Sequence, residues 1–452
     1  MSHFAFIAIL LFALCSCSEE QVSQKPNVLF IAVDDLRPEL NLYGSSHIKS
    51  PNIDRLASEG LAFTHAYCNV PVCGASRASL LTGIKPTRNR YVQYHTYAQN
   101  DVPEAISLPE HFKNNGYVTI SNGKIFHHRD DIPESWSEPA WHPKSADGLW
   151  QNYISEENRA LTQTTENKRA WPYEWPLVED SAYFDGKIAN KTIRDLRRLK
   201  DTGEPFFIAA GFLKPHLPFN APQKYWDLYP AETIALPDNY YRPENVPDVA
   251  IHNFGELRKY YGVPEKGPVS DEMALTLIRG YYACVSYTDA QIGRLLDALD
   301  ELDMRKNTIV ILWGDHGWQL GEHTMWCKHS NFDVAMRVPM IISAPGFEQG
   351  QVTDALAEYI DIFPTLSELA GLEDLPQWQG RSFVPLLNNP DQKFKDVIYS
   401  RYVDGESIIS DNYLYTEYFD KDNNYVGRML YDHSTDPNEN VNISEMPQHA
   451  RW

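Results

Sequence analysis

Basic side chains are scarce in this chain of 452 residues: 40 Lys and Arg stand against 61 Asp and Glu, a formal charge of −21. A nucleic-acid binder needs a basic surplus on its contacting face, so the balance speaks against that class. Cysteine is scarce too. Of six cysteines, Cys15 and Cys17 fall near the N-terminus, and Cys68, Cys73, Cys284 and Cys327 are too few and too widely spaced for a disulfide framework. No run beyond the N-terminus reaches the roughly 18 apolar residues of a membrane-spanning helix. Repeats and low-complexity tracts are missing as well, which removes solenoids. What is present is a globular composition, 43% hydrophobic and only 22% charged, which excludes a disordered chain. The length allows one large α/β domain with a smaller one, or two to three ordinary domains.

The first sixteen residues carry no Lys, Arg, Asp or Glu, and Phe4 to Leu14 is a nearly continuous apolar run of signal-peptide length. Leu14-Cys15-Ser16-Cys17 resembles a bacterial lipoprotein signal, although Met1-Ser2-His3 lacks the usual Lys or Arg. The expectation is a leader over 1–16, lipid on Cys17, a tether over 17–25 and export to the periplasm or cell surface. Ordinary secretion is the alternative.

Four short apolar runs read as buried parallel strands, and each ends in polar residues. Asn27–Val33 ends in Asp34-Asp35, Tyr117–Ser121 leads to Lys124 and His127, Phe206–Ala210 leads to Lys214 and His216, and Thr308–Trp313 leads to Asp315-His316. Helical patterns at Ile53–Glu59, Leu108–Asn114, Asp185–Lys200 and Leu275–Leu302 separate them, the alternation of an α/β protein. In an open α/β sheet the C-terminal strand ends share one edge, where ligands bind. Taken singly, an Asp-Asp after a strand is more often a cap or turn. Their convergence favours a site, and Asp34, Asp35 and Asp315 are hard oxygen donors suited to Ca²⁺ or Mg²⁺ rather than zinc.

The most specific segment runs from Val72 to Gly83. It reads as a short helix beginning near Cys73 and closed by Gly83, with Arg77 one turn along and directed to the same N-terminal end. That setting favours anions. Cys73 itself reads either as a low-pKa nucleophile or as a buried inert thiol.

Cys73-x-Ala75-x-Arg77 followed by Leu81-Thr82-Gly83 resembles the signature of type I sulfatases, members of the alkaline phosphatase-like superfamily in which the cysteine is oxidised to formylglycine. Within them the resemblance is to the iduronate-2-sulfatase group. It rests on Val33–Pro38, Ser50–Ala57, Gly116–Thr119, Gly123–His127, Lys214–Phe219, Asp315–Trp318, Leu320–His323 and Lys328–Val334, in order from about Lys25 to Gly380. Ala75 departs from the commoner proline.

The resemblance implies one Ca²⁺ held by Asp34, Asp35, Asp315, His316 and the converted Cys73. It implies that Arg77 and Lys124 hold sulfate oxygens, that His127 acts on the formylglycine hydrate, and that His216 and Lys328 sit at the leaving oxygen. Trp318, Lys124, His216 and Lys328 are then the expected substrate contacts. The implied fold is a large, mostly parallel mixed sheet sandwiched by helices over 26–390, with a small antiparallel C-terminal subdomain over 391–452. Strand-like alternation in Val397–Tyr402 and Tyr413–Tyr418 agrees with the latter.

The tryptophans of the His128–Asp180 region (Trp136, Trp141, Trp150, Trp171, Trp175) could stack on sugars or pack on the sheet, the second reading being preferred. His95 and Tyr97 could also face a substrate. The implied activity is hydrolysis of O-sulfate esters on a sulfated oligosaccharide or polysaccharide, including 2-O-sulfo-uronates. The implied partners are that substrate and a formylglycine-maturation enzyme. Alternatives are a phosphodiester or phosphonate monoester hydrolase of the same superfamily, or an inactive glycan-binding lipoprotein if Cys73 is never converted.

Overall fold

A computed structural model describes residues 25–447; the expected leader, Cys17 and nearly all of the tether lie outside the described residues. The main sheet contains β1 (Asn27–Val33), β2 (Leu61–Tyr67), β3 (Val118–Gly123), β4 (Phe206–Phe212), β5 (Thr308–Gly314), β6 (Arg337–Ser343), β7 (Gln351–Thr353) and β8 (Ala357–Glu358). Their order is β7-β2-β6-β5-β1-β4-β3, with β8 also on β2. β1 is central and parallel to both neighbours, with Val28 opposite Phe207 on one side and Ile309 on the other. β6 is the one strand of this sheet that runs against its neighbours.

All seven residues of β1 are buried, as are those of β4 and β5, because helices cover both faces. Val28, Phe30 and Ala32 enter one apolar layer with residues of the helices Cys73–Thr82 and Leu108–Asn114, while Leu29, Ile31 and Val33 enter the other. The second layer is dominated by the helices Phe184–Thr202 and Asp271–Glu301. The latter starts a turn earlier than its apolar pattern suggests. Ser270 caps it by accepting from the Met273 N–H, and Asp271 and Glu272 favour its positive end.

β2 and β6 were not expected from the sequence. β6 carries Pro339, which lacks a ladder donor and normally argues against an interior strand. The chain accommodates it with a register shift between Val338 and Met340 against β2.

A second sheet is an antiparallel meander of β9 (Ile398–Tyr402), β10 (Gly405–Ile409), β11 (Tyr413–Phe419) and β12 (Tyr425–Asp432). β11 alternates strictly between buried and half-buried residues, as a sheet packed on one face must. It is tied to the main body by polar contacts: the Arg401 N–H donates to the Asn69 carbonyl at 3.0 Å, Arg401 Nη1 to the Thr87 carbonyl at 2.8 Å, and Asn331 Nδ2 to Ser407 Oγ at 2.9 Å.

Beyond β12, the buried Glu439 accepts from the Asp333 N–H at 2.9 Å and faces His433 Nε2 at 3.0 Å. Burial opposes the His433 charge, but Glu439 outweighs it and raises the imidazole to about 9. A folded pKa above the unfolded value gives stability that is present below about pH 6.5 and lost as pH rises through 9. His433→Gln is therefore expected to destabilise the fold by on the order of 2 kcal/mol at pH 6 and by little at pH 10. Denaturant unfolding at the two pH values checks this; an equal loss at both would sink the ion-pair account.

Candidate active site

The C-terminal ends of the parallel strands meet the N-terminus of the helix Cys73–Thr82. This helix starts after extended Val72, ends on left-handed Gly83 (φ 69°), and is buried along its whole length. Gly123 takes φ 86° at the end of β3, and a Cβ there would stand 2.2 Å from the Gly211 carbonyl oxygen, so glycine lets Lys124 turn in tightly beside β4.

Arg77 is fully buried and makes four hydrogen bonds. Its Nε donates to Asp315 Oδ2 at 2.8 Å and Nη2 to Asp34 Oδ1 at 3.2 Å, while Nη1 donates to the Lys124 and Ile125 carbonyls at 2.5 and 3.0 Å. One guanidinium thus fastens the ends of β1, β5 and β3. Lys124 Nζ completes the pairing of Asp34 at 2.6 Å. Burial alone would raise Asp34, yet Lys124, His216 and Arg77 hold its carboxyl well below the usual range.

A second group forms around Asp35, which sits in the left-handed region at φ 63°. Its backbone N–H donates to Asp315 Oδ1 at 2.9 Å, and its carbonyl accepts from the Tyr281 hydroxyl at 2.8 Å, which fixes the turn. Lys328 Nζ lies 3.2 Å from Asp35 Oδ1 and 2.8 Å from Glu256 Oε2. His216 places Nδ1 2.6 Å from the Leu217 carbonyl and Nε2 3.1 Å from Glu256 Oε1. Burial works against the Glu256 charge, but Lys328 and His216 keep this carboxyl well below its usual range. Glu256 escaped the sequence reading: it lies in a loop, in no recognisable motif, and only the fold brings it to Lys328.

Cys73 Sγ lies 3.2 Å from His316 Nε2 and 4.0 Å from Asp35 Oδ1. Burial pushes its thiol well above the usual range despite Lys124 and Lys328. His316 places Nδ1 2.9 Å from the Gly317 carbonyl and Nε2 3.3 Å from Asp35 Oδ1 and 3.6 Å from Asp315 Oδ1. An imidazole nitrogen set against two carboxylates, with Asp34 beside them, is a donor set that fits a hard divalent cation. His216 is also within reach of this group, but its Nε2 is engaged by Glu256.

A cavity of about 700 Å³ opens over these residues, lined by Asp34, Cys73, Lys124, His127, His216 and Lys328 among others. Six basic side chains but only three carboxylates line it, so its sign is opposite to that of the whole chain. His127 is driven down to about 2 by burial and by Lys124, and presents a neutral ring.

Trp318 corrects an expectation. It is 1% exposed and absent from the cavity wall; its ring stacks on Tyr281 at 6.4 Å and lies 4.9 Å beneath Lys328 Nζ. It steadies Lys328 from the protein side. Among the five tryptophans of His128–Asp180, only Trp150 lines the cavity, edge-on to His216 at 5.6 Å. His95 and Tyr97 do not line it; Tyr97 stacks on His128 at 3.9 Å.

A cysteine at a helix N-terminus, a hard-cation donor set and a basic cavity at the parallel edge of this sheet are the equipment of a hydrolase of anionic esters. A structure solved in complex with its substrate D-glucosamine-2-N,6-O-disulfate shares the fold, with a TM-score of 0.76 at 21% identity over 94% of this chain and 95% of that one. The Sulfatase family profile matches residues 26–372, and that of the N-sulphoglucosamine sulphohydrolase C-terminal region matches 321–451. Iduronate 2-sulfatase of Mus musculus is 36% identical over 398 residues, 79% of this chain and 71% of that protein. A sulfatase of Formosa agariphila is 32% identical over 97% of this chain and 88% of its own length. The chain belongs to the sulfatase family and is a sulfuric ester hydrolase.

Arg77 is the residue least open to replacement. Arg77→Lys keeps the charge but cannot reach two carboxylates and two carbonyls at once. It is expected to cost roughly 3 kcal/mol, the scale of breaking a buried pair. Denaturant unfolding reads this directly, and a loss below about 0.5 kcal/mol would contradict the fastening role.

Proposed function

We propose that the protein removes O-sulfate from sulfated oligosaccharides, 2-O-sulfated uronates foremost, using Cys73 converted to formylglycine and one Ca²⁺ at Asp34, Asp35, Asp315 and His316. The observation that carries this reading is the placement of Cys73: the buried first residue of its helix stands 3.2 Å from His316 Nε2 and 4.0 Å from Asp35 Oδ1, in the cavity wall beside Asp34, Lys124 and Lys328. The similarity to iduronate 2-sulfatase supports the uronate substrate.

Formylglycine supplies, as its hydrate, one hydroxyl to attack sulfur and a second whose deprotonation lets sulfate leave; Ca²⁺ supplies positive charge to the sulfate oxygens. The chain's own residues do the rest. Lys124 and Lys328 face the cavity and are held charged, since Asp34 and Asp35 outweigh their burial. They suit oxygens that gain charge as the ester breaks. His216, with both ring nitrogens facing acceptors, is placed to carry a proton to the departing sugar oxygen. His127, which lines the cavity with an Nδ1 that has no hydrogen-bond partner among the described residues, is read as the residue that acts on the hydrate's second hydroxyl. Arg77, bonded to Asp34, Asp315 and the Lys124 and Ile125 carbonyls, is read as the strut under Lys124 and Asp34, with one N–H left for a sulfate oxygen or the hydrate.

A formylglycine-maturation enzyme is the implied partner, and Cys17 the point of lipid attachment for a periplasmic or surface location.

Intact mass of the Cys73 peptide from the native host should fall about 18 Da below that of cysteine. Finding thiol alone would favour the non-catalytic glycan-binding alternative. Cys73→Ser should abolish sulfate release, and undiminished turnover would refute the assignment. Adding Ca²⁺ to chelator-treated protein should raise Tm, by the linkage that any native-state ligand obeys. Asp315→Asn should remove that shift; an unchanged Tm in the parent protein would contradict the cation site.

A further inference from the structure

Every carboxylate in the cavity wall already has partners. Asp34 is held by Arg77 and Lys124, Glu256 by Lys328 and His216, and Asp185 by the backbone N–H groups of Leu213 and Lys214, both at 2.8 Å. Of the six wall cations, Lys124 and Lys328 serve those acids, and Lys214 Nζ is bound to the His216 and Pro218 carbonyls at 2.8 and 2.5 Å. The remaining three, Arg129, Arg169 and Lys259, make no ion pair among the described residues, although all face the cavity.

Their placement is not random. The Arg169 guanidinium lies over Trp150 at 5.8 Å and over Tyr260 at 5.4 Å, and its Nε is buried without a hydrogen-bond partner. Trp150 lies edge-on to His216 at 5.6 Å as well as under Arg169, and is itself 40% exposed. Across the wall, burial and Arg129 lower His142 to about 4, so that ring adds no charge of its own at neutral pH. An uncompensated basic surface next to an open aromatic ring fits a sugar bearing an anionic group.

We propose that Arg169, assisted by Lys259 and Arg129, forms a subsite for a second anionic group on the substrate, carboxylate or sulfate, with Trp150 as the platform for the sugar between that group and the scissile ester. This rests on the sulfatase reading of the Cys73 site and narrows its substrate to sugars carrying two negative charges.

The test is equilibrium binding to the full-length Cys73→Ala protein, which cannot turn over its ligand. The three probes are a monosulfated neutral hexose, a 2-O-sulfated uronate and a disulfated hexosamine. Arg169→Gln in that background is expected to raise Kd about tenfold for the doubly charged probes and less than about twofold for the neutral hexose sulfate, the loss of one charge-assisted contact.

Weakening of the uronate alone assigns the subsite to carboxylate, and of the disulfated sugar alone to sulfate. Because Arg169 also packs on aromatic rings, the exposed Lys259→Gln serves as a second variant with the same, smaller discrimination. Equal weakening of all three probes by both variants, or none, would overturn the subsite. If discrimination holds while converted Cys73 protein releases no sulfate from any probe, the proposed activity fails and the subsite stands.

Discussion

Three carboxylates brought to one edge of a sheet repel one another, and the structure depends on how that repulsion is offset. Arg77 is the answer to half of it: a planar donor fork bonded to Asp34 and Asp315, and to the backbone that launches Lys124. Asp35 is left to Lys328, which is shared with Glu256. The strands, the nucleophile helix and the Lys328 loop are thus registered to one another by charge.

The formal charge of −21 is consistent with an anionic substrate because the two belong to different parts of the molecule. The acids of the cavity wall are all engaged, and its cations exceed them two to one. A low-dielectric cleft of this sign focuses a positive field that the rest of the surface does not share.

Much of this was legible in the sequence where a single physical signal dominated. β1 and β5 are continuous apolar runs because both faces are covered, and Asp34, Asp35, Asp315 and His316 follow them directly. The helix from Cys73 to Gly83 was bounded by its own end signals. What was not legible depended on the path of the chain. β6 hid behind Pro339, whose missing donor is absorbed by a shift of register. Trp318 follows an active-site turn, yet its ring points into the core, a choice that spacing cannot reveal. Glu256, Trp150 and Arg169 lie on loops with no periodicity, and their meeting at the cavity is a property of the tertiary fold alone.

This charge-registered pocket hydrolyses sulfate esters. Formylglycine-converted protein should be offered a sulfate monoester and a phosphonate monoester of the same alcohol, with kcat/KM measured for each. Sulfate should be released preferentially, and the preference should be lost on replacing Lys328. A preference for the phosphonate ester, or sulfate release indifferent to Lys328, would contradict this reading.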